Sequence, residues 1–235
     1  YFMMTDRFYN GDVSNDQEVV GDVTNPRGLY RGGDFKGVTA KLDYLKELGV
    51  DSIWLTPIVE NVPQNVGSAT DGEYYAYHGY WALNFEELNP HLGSLADFHE
   101  LIDAAAEKGI NIIVDVVLNH AGYGAEETFE GMVRTKEEDK QGDDQLGSLS
   151  GLPDFKTEEA TVRNQLVAWQ ASWLERSKTA KGNSIYGFRV DTVKHVDDTT
   201  WQHFKNELVD RDPDFHLIGE TWGANYKDTK GDLGI

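Results

Sequence analysis

The chain has 235 residues, of which 39% are hydrophobic and 11% aromatic, so it can bury one large core or two small ones. Its 41 acidic and 21 basic residues give a formal net charge of −20, a field that repels nucleic acid and anionic membranes and excludes both as partners. It has no cysteine and no apolar run near the roughly 20 residues of a membrane span, which excludes disulfides, thiolate chemistry and a transmembrane segment.

Short apolar runs alternate with amphipathic stretches along the chain. The runs predict five strands, at 1–5, 50–56, 110–118, 185–191 and 215–221. Between them, apolar residues at helical spacing predict helices that start near Val38, at Ser94, at Glu158 and at Thr199. Strands that read as near-continuous apolar runs, separated by helices, indicate a parallel sheet covered by helices on both faces.

Two stretches break this alternation. Residues 57–93 form a long connection rich in aromatic residues, and residues 121–156 form a polar excursion after the third strand. Five strands are used by residue 221, whereas a closed eight-stranded barrel needs roughly 250 residues. The predicted fold is therefore an α/β, TIM-type (β/α)8 barrel, incomplete in this chain. Residues 1–120 and 157–235 are assigned to the barrel, and 121–156 to a small inserted domain.

Polar side chains collect where the last three predicted strands end. Asp115 interrupts the run IIVDVV, Arg189 and Asp191 end the next strand, and Glu220 ends the one after. A carboxylate inside an apolar strand must be paired or protonated, and Arg189 is the obvious partner to keep Asp191 ionised. Taken singly, each carboxylate fits a structural ion-pair network as well as it fits catalysis.

The spacing of two of these carboxylates favours catalysis. Asp191 and Glu220 lie 29 residues apart (220 − 191), one helix plus one strand, which places them at equivalent positions on neighbouring strands. Such positions are about 5 Å apart, and a retaining glycosidase uses two carboxyl groups about 5–5.5 Å apart. We expect Arg189 to hold Asp191 ionised, while Glu220, without such a cation, carries the proton.

Five segments resemble signature segments of the α-amylase family of glycoside hydrolases, in the order in which that family carries them. They are YHGYW (77–81), DVVLNH (115–120), LPDF (152–155), GFRVDTVKH (187–195) and GETW (219–222). The resemblance implies a (β/α)8 barrel with a small domain inserted after strand three, here short for the family. It also implies secretion, and an α-glucan polysaccharide or malto-oligosaccharide as substrate.

The resemblance assigns roles to the matching residues. Asp191 resembles the nucleophile, Glu220 the general acid/base, and Arg189 the arginine that positions the nucleophile. The residues that resemble sugar-binding positions of the family are His120 and Tyr80 in the cleavage subsite, Trp81 in the next position, and Lys194 and His195 on the leaving-group side. Residues 223–235 hold no match for the family's third acid, an Asp after a His, so the 235 residues by themselves are not expected to catalyse.

The loop NGDVSND (10–16) packs side-chain oxygens of the kind that calcium prefers, although its spacing is not that of an EF-hand and its composition also fits a capped turn. The resemblance to cyclodextrin-forming and related bacterial members implies a calcium site here. Its implied ligands are Asn10, Asp12, Asn15, Asp16, the carbonyl of Gly32, and Asp34. A second implied calcium ties the inserted domain to the barrel through Asn119, Asp154 and the carbonyl of His195.

These features predict a retaining endo-hydrolase of α-1,4 bonds in starch-like glucans. The nearest alternative is a cyclodextrin-forming or other glucanotransferase, which the N-terminal loop favours, whereas the short insertion and Trp222 in place of a Phe weigh against it. Action on α-1,6 bonds, as in pullulanases, is a further alternative. A non-catalytic carbohydrate-binding or structural role comes from another class, and the presence of both Asp191 and Glu220 argues against it.

Overall fold

The computed structural model describes residues 1–16, 27–67 and 72–223. In chain order, the strands of this described part are β1 (Phe2–Met3), β2 (Ser52–Leu55), β3 (Val59–Asn61), β4 (Ala82–Leu88), β5 (Asn111–Val116), β6 (Gly187–Val190) and β7 (His216–Gly219). Five of them form one sheet in the order β1-β2-β5-β6-β7, and all neighbouring pairs in it are parallel. The predicted parallel sheet is confirmed, and each strand is shorter than predicted.

The register of the sheet aligns its polar residues. Asp115 on β5 stands opposite Arg189 on β6, and Val190 on β6 stands opposite Gly219 on β7. Asp191 and Glu220 directly follow this last pair, so they leave two adjacent strands at the same level. The carboxyl ends of the strands therefore gather these residues at one edge of the sheet, where parallel α/β folds place their sites.

The helices of the described part are α1 (Thr5–Phe8), α2 (Phe35–Ala40), α3 (Leu42–Glu47), α4 (Leu95–Glu107), α5 (Ala160–Arg176) and α6 (Asp198–Arg211). The helix predicted through Val38 and Leu45 is interrupted at Lys41, which caps α2 and begins α3. The first predicted strand ends early because Thr5 already starts α1. No helix in the described ranges is long and apolar enough to cross a membrane.

Helix α4 begins as its sequence predicts. Ser94 and Asp97 form a capping box, in which each side chain accepts a hydrogen bond from the other residue's backbone N–H. The buried face of the helix is Phe98, Leu101, Ile102 and Ala105. Phe98 packs against Phe35 of α2 with ring centroids 5.0 Å apart, which joins two helices over one face of the sheet.

The long connection 57–93 contains an antiparallel hairpin, β3–β4, that the sequence pattern did not reveal. Its residue Phe85 is buried, and the Phe85 carbonyl accepts a hydrogen bond of 2.8 Å from the indole of Trp173 on α5. The hairpin is thereby fixed to the helical layer. The residues just before β4 reach the carboxyl end of the sheet, where the Tyr80 hydroxyl binds Asp115.

The segment 121–156 has turns but no helix or strand in the structure. Its two ends meet where the Ala121 N–H donates to the Pro153 carbonyl at 2.9 Å and His120 pairs with Asp154 in an isolated bridge. The Arg134 guanidinium binds Asp154 inside the segment at 2.8 Å and Glu158 just beyond its end at 2.6 Å. The segment leaves and rejoins the barrel at one place, as an insertion does.

Replacing the helix cap, Ser94→Ala, is expected to lower the free energy of unfolding by about 1 kcal/mol, because the Asp97 N–H loses its acceptor. Urea unfolding followed by circular dichroism measures the change. The control is Ser184→Ala, since the Ser184 hydroxyl makes no hydrogen bond within the described ranges. Equal effects of the two substitutions would contradict the capping account.

Candidate active site

The centre of the site is one guanidinium shared by three carboxylates. Arg189 contacts Asp115 at 3.0 Å and Asp191 at 2.6 Å through Nη1, and Glu220 at 2.9 Å through Nη2. The Cζ atom of Arg189 also lies 4.8 Å from the ring centroid of Trp54 on β2. The prediction that Glu220 lacks a cationic partner is wrong. The Arg189 side chain is long enough for its two Nη atoms to reach carboxylates from both neighbouring strands, Asp115 and Glu220.

Asp115 is the most deeply buried of the three carboxylates. Besides Arg189, it accepts hydrogen bonds from the Tyr80 hydroxyl at 2.6 Å and the Trp54 indole at 3.1 Å. Burial raises the pKa of Asp115 to about 7, against the opposing effect of Arg189. The same carboxylate, together with burial, raises the pKa of the Tyr80 hydroxyl, which therefore stays a hydrogen-bond donor.

Asp191 and Glu220 interact directly but differ in exposure. The side chain of Asp191 is 10% exposed, whereas that of Glu220 is 36% exposed. Burial raises the pKa of Asp191, Arg189 opposes this, and the contact with Glu220 adds to it. Three acids around one cation cannot all ionise without leaving excess negative charge in a buried site, so the cluster holds a proton readily.

A backbone turn after Asp191 places Glu220. Thr192 adopts a left-handed conformation with φ 49°, rare for a branched residue, and its N–H donates to Glu220 Oε2 at 3.3 Å. The backbone of Glu220 is fixed at both ends, because its N–H donates to the Val190 carbonyl and its carbonyl accepts from Val193. Both the main chain of Glu220 and its carboxylate, which also binds Arg189, are thus held in place.

Histidines and aromatic rings line the side of the site formed by the 57–93 connection. Burial lowers the pKa of His120 to about 4 and that of His78 to about 4, so both rings are neutral near pH 7. His78 lies between Tyr80, at 5.8 Å, and Trp81, at 4.5 Å between centroids. The wall offers flat apolar faces and uncharged polar atoms.

Lys194 and His195 lie on the short 3-10 turn Val193–His195, directly after the β6 strand end. The inserted segment holds both of them through one residue that sequence reasoning missed. Asp144 binds the Lys194 ammonium at 3.1 Å through its carboxylate and the His195 Nδ1 at 2.7 Å through its carbonyl. No spacing in the sequence signals this contact.

Trp54 was also missed, although an indole N–H inside the strand SIWL is a polar group that needs an acceptor.

The N-terminal loop brings most of the predicted calcium ligands together. Asn10 binds Asp16 at 2.9 Å, and Asn15 binds Asp34 at 3.1 Å, in each case through its amide nitrogen. The side-chain carbonyl oxygens of both asparagines are buried without a hydrogen-bond partner. A β-carbon on Gly32 would meet Asn10 and Asp16 within 2.5 Å, so Gly32 closes the loop. Orphaned amide oxygens beside carboxylates fit a calcium ion.

Two predicted ligand positions have other partners. The carboxylate of Asp12 faces outward, bound to the Lys36 ammonium and the Ser14 hydroxyl. At the second predicted site, Asp154 is already ion-paired with Arg134, and the orphaned side-chain atoms of the described ranges include none from Asn119 or Asp154. No cluster of three His, Cys, Asp or Glu side chains in those ranges is arranged to hold a metal. The second calcium stays a prediction.

Comparison with known proteins decides the family. Residues 2–144, more than half of the chain, match the α-amylase catalytic domain. The chain belongs to the α-amylase family. The five-stranded sheet is accordingly part of that family's TIM barrel.

Individual relatives agree with this assignment. The periplasmic α-amylase of Escherichia coli (strain K12) is 31% identical, and the alignment covers 95% of this chain and 47% of that protein. The crystal structure of the Geobacillus thermoleovorans α-amylase complexed with acarbose has a TM-score of 0.78 at 38% identity, over 95% of this chain and 46% of that one. The cyclomaltodextrin glucanotransferase CldA has a TM-score of 0.82 at 29% identity, over 97% of this chain and 51% of that one. The chain thus spans about half the length of these family members.

Asp115→Asn is expected to change how stability depends on pH. The raised pKa of Asp115 means that the folded chain keeps a proton that the unfolded chain releases above about pH 4, so its contribution to stability is lost as pH rises toward 7. The free energy of unfolding of the variant, relative to the parent, should therefore rise by at least about 1 kcal/mol between about pH 4.5 and about pH 7.5. Urea titrations at the two pH values measure it.

Asp103→Asn is the control of opposite sign. Hydrogen bonds from Thr179 and Asn183 lower the pKa of Asp103, so its stabilising effect is present above about pH 4 and is lost on acidification. Asp103→Asn should therefore become less damaging as pH falls below about 4. A pH-independent difference for Asp115→Asn would contradict the account of its burial.

Proposed function

We propose that the full-length protein is a retaining glycoside hydrolase that cuts internal α-1,4 bonds of starch-like α-glucans. The observation that carries the proposal is the pair Asp191 and Glu220, which leave adjacent parallel strands at one level and share Arg189. Two acids that flank one bond are the machinery of retaining glycosidases. Family membership supports the substrate class, since an α-amylase and several amylase relatives match most of this chain.

The segments that resemble the family's signature segments assign the two roles. Asp191 is the nucleophile: its buried carboxylate, oriented by Arg189, attacks the anomeric carbon as the glycosidic C–O bond breaks. Glu220 is the more exposed acid, and it donates its proton to the departing oxygen. Glu220, now ionised, then takes a proton from the water that displaces the sugar from Asp191. The sugar leaves with its original anomeric configuration, and both acids return to their starting states.

The remaining residues bind an uncharged substrate. Tyr80 and Trp81 provide rings for the apolar faces of glucosyl units, and neutral His120 bonds their hydroxyls without requiring an anion. Lys194 and His195 are proposed to bind the sugar on the leaving-group side, where Asp144 holds them in place. The net negative charge of the chain does not repel such an uncharged ligand.

We also propose that calcium binds the N-terminal loop. Asn10, Asn15, Asp16, the Gly32 carbonyl and Asp34 are the residues that would hold it, and the orphaned asparagine oxygens support this choice. A bound ion would supply positive charge between the loop carboxylates and Asp34, the residue that caps the first turn of α2. The periplasmic α-amylase among the relatives supports export of this protein.

A glucanotransferase is the second candidate. The similarity to CldA and to the cyclomaltodextrin glucanotransferase of Klebsiella oxytoca, 28% identical over 98% of this chain and 39% of that protein, favours it. Trp222, which is 78% exposed and lies two residues past Glu220, weighs against this candidate, as in the sequence analysis. Cyclic products with little new reducing sugar from starch would identify transfer, and release of reducing sugar from pullulan would identify action on that polymer.

Asp191→Asn and Glu220→Gln in the full-length protein are each expected to lower kcat for maltoheptaose by at least about 1,000-fold, because one removes the nucleophile and the other the proton donor. Binding of maltoheptaose should change only a few-fold, and the parent should release the α-anomer first, as measured by NMR. The control is Asp197→Asn, which alters a helix cap on α6 outside the cluster. Full activity of either variant, or first release of the β-anomer, would refute the proposed mechanism.

Removing calcium with a chelator is expected to lower both the melting temperature, by about 5–10 °C, and the activity of the full-length protein. Asn15→Ala should weaken the stabilisation that added calcium restores, because one ligand is lost. Asn206→Ala, on the exposed face of α6, is the matched control. If melting temperature and turnover were the same with excess chelator, the loop would not be a calcium site.

A further inference from the structure

The indole of Trp54 lies beneath the ion cluster, and the proposed function gives it no role. Trp54 stands on β2 opposite Ile113 of β5, and Asp115 lies two positions further along β5. Because residues two apart on a strand share a face and Asp115 stands opposite Arg189, all three side chains lie on one side of the sheet. Phe2 on β1 packs against the indole with ring centroids 4.3 Å apart. The indole therefore contacts both β1 and the cluster.

Trp54 makes two different contacts with the cluster. Its indole N–H donates to Asp115 Oδ2 at 3.1 Å, and its ring centroid lies 4.8 Å from Arg189 Cζ. The first contact favours the ionised form of Asp115, since a hydrogen-bond donor stabilises negative charge. The second is a cation–π contact, which attracts the guanidinium to the face of the ring.

The contacts of Arg189 show why the ring matters. Its Nε is buried and has no hydrogen-bond partner in the described ranges, so the carboxylates are bound through its two Nη atoms. The ring of Trp54 adds an attraction that needs no further acceptor, and it acts on the guanidinium as a whole. The indole thus helps to fix the cation on which all three carboxylates converge.

Asp115 is the group through which the indole acts on charge. The charged and titratable groups that interact most strongly with it in the described part of the chain are Arg189, Asp191 and Tyr80. Glu220 reaches the same guanidinium from the end of β7. An ionised Asp115 competes with the two proposed catalytic acids for the charge of Arg189, so it favours retention of a proton elsewhere in the cluster.

We propose that Trp54 is a positioning residue for the reaction, which orients Arg189 through its ring and keeps Asp115 negative through its N–H. It acts through these two groups on Asp191 and Glu220 and does not touch the sugar. This inference rests on the proposed function, which gives Asp191 and Glu220 their roles.

The first test removes the N–H and keeps an aromatic ring. Burial already raises the pKa of Asp115 to about 7, and Trp54→Phe in the full-length protein should raise this pKa further. Asp115 then stays neutral to higher pH and adds less negative charge beside the proton donor. The basic limb of kcat/KM for maltoheptaose is expected to move by about 0.3–0.5 unit to lower pH. The acid limb, where Asp115 is protonated in both proteins, should stay in place.

Trp173→Phe is the matched control. Trp173 on α5 also donates its indole N–H to an oxygen, the Phe85 carbonyl at 2.8 Å, and Arg176 Cζ lies 3.9 Å from its ring centroid. Both partners lie outside the cluster. Trp173→Phe should therefore lower the melting temperature without moving either limb of the pH profile.

A second measurement on the full-length protein needs no activity. A lost donor costs more stability where the carboxylate is ionised, so Trp54→Phe should raise the unfolding constant about threefold more at about pH 8.5 than at about pH 5. This pH-dependent part should disappear when both proteins also carry Asp115→Asn, because no carboxylate then titrates at that position. Urea titrations of the four proteins at the two pH values measure it.

The outcomes separate this inference from the function on which it rests. If Trp54→Phe moves neither limb and its effect on unfolding is independent of pH, the positioning role is refuted while the hydrolase proposal stands. If the parent hydrolyses no malto-oligosaccharide, the proposed function fails and the positioning role fails with it. Should Trp54→Phe not fold, benzothienylalanine at position 54 replaces it, because its sulfur stands where the indole nitrogen was and its shape is kept.

Discussion

One guanidinium, that of Arg189, determines how the carboxyl end of this sheet is built. Three carboxylates from adjacent strand ends converge on it, and without it their negative charges would be buried uncompensated. Losing one partner of a buried ion pair costs several kcal/mol, because the remaining charge is left in a medium that solvates it poorly. The register that sets Asp115 opposite Arg189 is thus tied to the electrostatics of the site.

The 57–93 connection and the inserted segment 121–156 add side chains to the site that forms at the strand ends. The 57–93 connection brings Tyr80 to Asp115, so an aromatic wall is attached to the ion cluster by a hydrogen bond. The inserted segment brings Asp144 to Lys194 and His195 on the chain that follows β6. Both segments lie at the same edge of the sheet, and each contributes atoms that the strands cannot supply.

Much of the architecture followed from the sequence, because its signals were local. Apolar runs located all five strands of the sheet, and Ser94 before an apolar stripe located a helix start. The β3–β4 hairpin was missed because the burial along β4 does not alternate regularly and its register shifts twice. The break at Lys41 was also missed, since the apolar stripe continues across it.

The candidate site was predictable in its residues and less so in its contacts. Strand spacing placed Asp191 and Glu220 on neighbouring strand ends, as found. Strand spacing cannot tell how far a flexible side chain reaches, and for this reason the contact of Arg189 with Glu220 was not foreseen. Asp144 lies 51 residues from its partner His195, within a segment that lacks periodicity, so no pattern could have indicated it.

The central claim is that Asp191 becomes covalently bonded to the sugar, and one measurement tests it directly. The full-length protein is treated with a slowly turned-over fluorinated maltosyl fluoride, digested, and analysed by mass spectrometry. The account predicts a glycosyl adduct on the peptide that contains Asp191, and none when Asp191 is replaced by Asn. An adduct on another residue, or inversion of the product without any adduct, would contradict it.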